Sequence, residues 1–275
     1  MILCSSGVFF HRGPDGRLVA PRDNHVKDIV SVGPRMPVDG IEVLVTRRMV
    51  GSLKEAADRL LASSMSFPVI HGPKHVGAAL PSREAITQLD EAAWFAAAIG
   101  AQDVVLHLWD LPESDTDFTG RLRAVVIAAD VAAKHGVRLL VETIPCQEST
   151  PLRNIKRVLE HEQRVGVALD TEFLALHGEL EEALQADWLW DEGHVRHVHI
   201  KDYDGNLSNP DGARRYLTPG DGLIDFPAVF GAFNKRGFSG TVSLEAATYL
   251  HDGKPDIEKA CRVLARMSHS PWSFI

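Results

Sequence analysis

Eight short apolar runs alternate with eight helix-like stretches along this chain of 275 residues, and that alternation leaves few folds open. The strand-like runs are predicted at 2–6, 41–45, 67–71, 103–108, 137–142, 165–170, 195–200 and 241–245. The helix-like stretches fall near 24–32, 52–63, 82–99, 119–135, 151–162, 178–190, 226–236 and 256–267. Strand–helix repetition predicts parallel strands, and eight such units close into a (β/α)8 TIM barrel. A chain of this length suits one such barrel, so residues 1–275 are read as a single domain.

Local patterns agree with this reading. "SLKEAADRLLA" places Leu53, Ala56, Ala57, Leu60 and Leu61 on one helix face, and Ser52 with Glu55 has the spacing of a capping box. Thr150 before Pro151 fits an N-cap followed by proline in the first turn. Side chains alternate along a strand, so Thr241, Ser243 and Glu245 of "TVSLE" should face the barrel axis together. The same parity turns Gly166, Ala168 and Asp170 inward in "VGVALD", and Val105, His107 and Trp109 inward in "DVVLHLW".

Four residues with ligand chemistry stand at the ends of four of these runs. Glu142 closes "VRLLVE", Asp170 closes "VGVALD", His199 sits in "VRHVHIKD", and Glu245 closes "TVSLE". A barrel brings the C-terminal ends of its strands to one mouth, where barrel enzymes keep their active sites. Three carboxylates and one imidazole gathered there would hold one divalent cation: manganese, magnesium or cobalt, with zinc also open. Glu142 and Asp170 are 28 residues apart, and Asp170 and His199 are 29 apart. Both spacings approach the roughly 30 residues of one barrel unit. His199 and Glu245 are 46 apart, and the excess is a Gly/Pro/Asp-rich loop at 202–224, expected to cover the mouth.

Composition narrows the partners. A net charge of −8 argues against a nucleic-acid partner, which usually takes a basic face. Cys4, Cys146 and Cys261 form no CxxC pair, which fits a reduced, cytoplasmic chain. No run of about 18 apolar residues predicts a transmembrane helix, so no membrane partner is expected. A homo-oligomer is compatible with everything the sequence shows.

With these residues in place, the chain resembles the xylose-isomerase-like superfamily of metal-dependent barrels. The resemblance spans nearly the whole chain and rests on "VETIP", "ALDTEF", "HVHIKD", "PGDGLIDF" and "SLEA", in that order. It implies that Glu142, Asp170, His199 and Glu245 are the metal quartet, and that Glu142 and Glu245 are also the catalytic acid/base pair. It implies that His71 and His107 line a substrate pocket. It departs at Phe173, where the superfamily motif Asp-x-x-His has histidine; His177 lies one turn further on. The implied activity is that of an isomerase or epimerase on a small sugar, keto-sugar or polyol derivative, through an enediolate. The runner-up is a dehydratase on a keto-polyol at the same site, and more distant alternatives are an apurinic-site endonuclease and a non-catalytic barrel subunit.

Several neighbours of the quartet carry two readings. His71 and His107 line the pocket or are buried histidines bonded to adjacent strands. His197 is a core histidine or supports a ligand from behind. Lys201 binds a substrate oxygen or pairs with Asp170 or Asp202. Trp109 offers an apolar wall to a sugar or belongs to the core, and Phe173 offers a ring face to substrate. Gly220 and Gly222 form turns. Arg214 and Arg215 are solvated or fold over the site.

Overall fold

The computed structural model describes residues 1–12, 18–19, 25–46, 49, 51–110, 115–208, 215, 217–245, 250–251 and 254–269. The parallel strands β1 (Ile2–Ser5), β2 (Gly40–Leu44), β3 (Val69–His71), β4 (Asp103–Leu106), β5 (Arg138–Glu142), β6 (Gly166–Asp170), β7 (Val195–Ile200) and β8 (Thr241–Leu244) close into a barrel. Each is hydrogen-bonded to its sequence neighbours, and β1 bonds to both β8 and β2. The strands lie within two residues of the positions read from the sequence. Around them stand α1 (His25–Val32), α2 (Leu53–Leu61), α3 (Val76–Ala79), α4 (Arg83–Ala98), α5 (Phe118–Lys134), α6 (Pro151–His161), α7 (Thr171–Leu176), α8 (Leu180–Gln185), α9 (Asp187–Trp190), α10 (Phe226–Lys235) and α11 (Ile257–Met267).

Two apolar assemblies result from the strand alternation. A large one lies between strands and helices. A small one, Leu3, Val69, Val105, Leu140 and Ala168, is fully buried and plugs the barrel interior. Two residues further along four of these strands stand His71, His107, Glu142 and Asp170. The plug therefore forms a dry floor, and the next inward layer towards the C-terminal mouth is polar.

Three expectations need correction. The stretch 178–190 is not one helix but α8 and α9, preceded by α7. Gly178, at φ +68°, ends α7 in the left-handed region, and extended backbone at Ala186 (φ −73°, ψ 97°) separates α8 from α9. Ser52 makes no side-chain cap; its hydroxyl donates to the Met49 carbonyl, and Glu55 instead pairs with Arg59. Trp109 does not face the axis. β4 ends at Leu106, so strand parity no longer governs, and the indole packs on Phe118 at 5.7 Å in the outer core. Thr150 does cap α6, accepting from the Arg153 N–H.

The close fit of α3 to the end of β4 depends on Gly77. A Cβ there would lie 2.0 Å from the His107 carbonyl oxygen. Arg121 fastens α3 to α5 by donating to the Gly77 and Ala78 carbonyls at 3.0 and 2.7 Å. Gly77→Ala must push α3 off the strand that carries His107. It should destabilise the protein by roughly 1–3 kcal/mol, the usual cost of overpacking. Urea unfolding measures this, and an unchanged midpoint would show that α3 shifts freely.

Candidate metal centre

The backbone at the barrel mouth is fixed before any side chain is aimed. The Asp170 N–H donates to Thr143 Oγ1 at 2.8 Å, tying β6 to the end of β5. The Thr171 hydroxyl donates to the Lys201 carbonyl at 2.6 Å and accepts from the Lys201 N–H, tying β6 to β7. Asp170 Oδ1 caps α7 by accepting from the Phe173 N–H at 3.0 Å, which leaves Oδ2 for the mouth.

From this frame Glu142, Asp170 and His199 converge, with ligand atoms within 4.8 Å of one another. His199 Nδ1 lies 2.8 Å from Glu142 Oε1, and its Nε2 lies 2.9 Å from Glu42 Oε1. The second Glu142 oxygen faces His71 Nε2 at 3.2 Å and His107 Nε2 at 2.7 Å. The fourth quartet residue, Glu245, is reached through Lys201. The ammonium contacts Asp170, lies 2.7 Å from Glu245 Oε2 and 3.7 Å from Glu172 Oε2, and stands 4.2 Å from the centre of the Phe173 ring. Of its two sequence-level partners Lys201 pairs with Asp170, while Asp202 accepts the N–H groups of Tyr203, Gly220, Gly222 and Ile224 and so folds the loop behind it.

Two members of this network were not singled out in the sequence, Glu42 and Glu172, both buried. Glu42 carried a usable signal, a charge in the apolar run "GIEVL" at an inward position. Glu172 carried none, because only the turn into α7 brings it to Lys201. His197 is fully buried behind the mouth, with Nδ1 2.6 Å from Thr241 Oγ1. Trp109 donates its indole N–H to the Ile144 and Pro145 carbonyls, bracing the loop after Glu142. His177 accepts from the Cys146 N–H and is occupied there. Arg215 pairs with Asp204, and Arg214 lies outside the described residues.

The charges do not balance. Glu42, Glu142, Asp170, Glu172 and Glu245 are five buried carboxylates, and they share one buried lysine and the His199 imidazolium. Burial would lower the His199 pKa, but Glu42, Glu142 and Glu245 hold it well above the usual imidazole range. Burial would raise Glu142, yet His107 and His199 keep it well below the usual carboxylate range. Lys201, His199 and Lys74 overcome burial at Glu245 and bring it to about 2. Asp170 goes the other way. Burial pushes it up to about 7 with help from Glu142, Glu172 and Glu245, and Lys201 only partly opposes this. Asp170 Oδ2 and Glu245 Oε2, both buried, share the single Lys201 ammonium as their cationic partner. Five buried carboxylates that share so few cationic partners fit a divalent cation, because buried charge is costly unless paired. Carboxylate oxygens with one imidazole are a donor set for a hard to borderline ion.

Comparison with known proteins follows the same line. Residues 35–267 match the family described as the xylose isomerase-like TIM barrel. The chain belongs to this family. Among curated proteins no sequence matches it. Among solved structures, a D-tagatose 3-epimerase-like protein shares the fold at 16% identity, covering 96% of each chain with a TM-score of 0.70. The 3-keto-D-glucoside 4-epimerase YcjR of E. coli is 18% identical over 97% of this chain and 98% of its own, also at 0.70. The IOLI protein, solved with a bound zinc atom, is 17% identical over 99% and 98%, at 0.68. These likenesses establish the barrel and leave the chemistry to the residues. Among the described residues no helix is long and apolar enough to cross a membrane.

Purified protein should carry about one divalent cation per chain, and Glu142→Gln combined with Asp170→Asn should abolish it in metal analysis; unchanged content would remove the site. The pH dependence is also set. Asp170 has a folded pKa of about 7, above its unfolded value of about 3.9. Its burial therefore costs the metal-free protein stability as pH rises from about 4 to 7, and a cation relieves that cost. Added Mn²⁺ should raise Tm more near pH 8 than near pH 5, and Asp170→Asn should lose that difference.

Proposed function

We propose that this chain is a divalent-cation-dependent isomerase or epimerase of a small keto sugar or polyol derivative. The observation that carries the reading is the pair Glu142 and Glu245. They close β5 and β8 at the same mouth, both are buried, and each is held ionised by its own cationic partners, His199 for one and Lys201 for the other. Two ionised carboxylates flanking one small space suit removal and return of a proton on carbon. Asp170, His199 and the two glutamates would hold the cation, which when bound polarises adjacent carbonyl and hydroxyl oxygens and lowers the pKa of the C–H between them.

The protein's own groups supply the rest. One glutamate takes the proton from the carbon beside the carbonyl, and the other returns it to the opposite face or to the next carbon. Lys201 offers its ammonium to a substrate oxygen as negative charge develops there. His71 and His107 stand against Glu142 through their Nε2 atoms and hold its carboxylate in place. Phe173 supplies an apolar face where a histidine would invite a further ion. A cavity of about 250 Å³ opens beside His71, lined by Leu44, Thr46, Gly72, Lys74 and His75. That is below the roughly 300–1,000 Å³ of sites for drug-sized ligands and suits a small substrate. Sugar epimerases among the solved barrels of this fold support the same class.

The test is turnover of ketopentoses, ketohexoses and keto-polyols with Mn²⁺ in deuterated water. The product should carry deuterium at the carbon beside the carbonyl. Glu142→Gln and Glu245→Gln should each lower kcat by roughly 10²–10⁴-fold, the usual contribution of a general acid or base. Product formed with no solvent deuterium would point to a hydride shift, and an unsaturated product would move the site to dehydration.

A further inference from the structure

The proposed chemistry leaves Glu42 without a task. It sits on β2, fully buried, in the polar layer next to the apolar floor of the barrel. A carboxylate there contributes nothing to stability that an apolar residue would not, because its desolvation is costly. Its surroundings are specific nonetheless. Oε1 faces His199 Nε2 at 2.9 Å, Oε2 accepts the Ser243 hydroxyl at 2.6 Å, and His197 Nε2 lies 3.6 Å from Oε2. Ser243 and His199 are register partners on β8 and β7, so Ser243 holds Glu42 at the height of the imidazole.

The two nitrogens of His199 point opposite ways. Nδ1 faces Glu142 in the mouth, and Nε2 faces Glu42 below. A neutral imidazole binds a metal through one nitrogen and carries its proton on the other. Glu42, when ionised, can only accept hydrogen bonds, so a proton on Nε2 has a partner and Nδ1 is left bare for the ion. We infer that Glu42 is a positioning residue that fixes the ring plane and tautomer of His199, making Nδ1 the ligand atom. The inference rests on the cation site proposed above. Carboxylate partners of this kind commonly govern ligand orientation and basicity.

The experiment uses the full-length protein with Mn²⁺, Co²⁺ or Zn²⁺ as probes. Glu42→Gln keeps the shape and removes the charge. It should weaken Mn²⁺ binding in calorimetry by roughly 10–100-fold and shift the visible absorption of the Co²⁺-loaded protein. Ser243→Ala, which frees only one Glu42 oxygen, should give a smaller loss. Nitrogen-15 NMR of the Zn²⁺-loaded wild type should show His199 protonated at Nε2, a readout that needs no variant and that a merely structural carboxylate would not set. A folded Glu42→Gln with wild-type affinity and spectrum overturns the inference, as does an Nδ1–H tautomer in the loaded wild type. Glu42, His197 and His199 are also close enough to hold an ion themselves. Two cations per wild-type chain, one of them lost in Glu42→Gln, would make Glu42 a ligand and overturn its positioning role. Wild-type protein that binds no cation would overturn both this inference and the site on which it rests.

Discussion

The interior of an eight-stranded barrel has room for side chains and little else, so every inward group must find its partner among other inward groups. This chain meets that constraint in two layers. Leu3, Val69, Val105, Leu140 and Ala168 close the lower interior without polar atoms. Above them, Glu42, His71, His107, Glu142, Asp170, His197, His199 and Lys201 find their partners mostly among one another, with Lys201 also reaching Glu172 and Phe173 of α7. The shape of the network follows. Each histidine faces a carboxylate or hydroxyl, and the lysine bridges two acids on different strands.

That network is stable in outline and unbalanced in charge. Lys201 does the work of a cation for Asp170 and Glu245, and the His199 imidazolium does it for Glu42 and Glu142. The remaining negative charge gathers at Asp170, the one quartet carboxylate whose pKa rises. A divalent ion held by Asp170 and Glu245 would share both carboxylates with Lys201. Phe173 belongs to the same balance. Its ring accepts the lysine charge from one side.

The loops around the mouth are organised by buried carboxylates of a different kind. Asp202 gathers four backbone N–H groups from the segment that follows β7. Asp115 accepts from Gln147, Glu148 and Ser149 in the segment after β5. Both are satisfied by backbone, and neither adds to the charge excess at the site. Acids that shape loops and acids that crowd the barrel mouth are thus distinguishable by their donors, although both kinds are buried.

Much of this could be read from the residues. Alternating apolar runs of strand and helix period specify eight parallel strands, and strand parity puts Glu142, Asp170 and His199 on the inner surface at matching heights. Parity is a local property, so it survives without coordinates, and it fails for Trp109 because the strand has already ended. The breaks around α8 and α9 were harder to see, since they depend on single φ/ψ choices at Gly178 and Ala186. Tertiary closure alone decided the rest. It set Glu42 of β2 against His199 of β7, 157 residues away. It also placed Lys201 between Asp170 and Glu245. Those contacts depend on which strands face each other across the barrel axis and on how far a long side chain reaches, and no spacing along one chain encodes either distance.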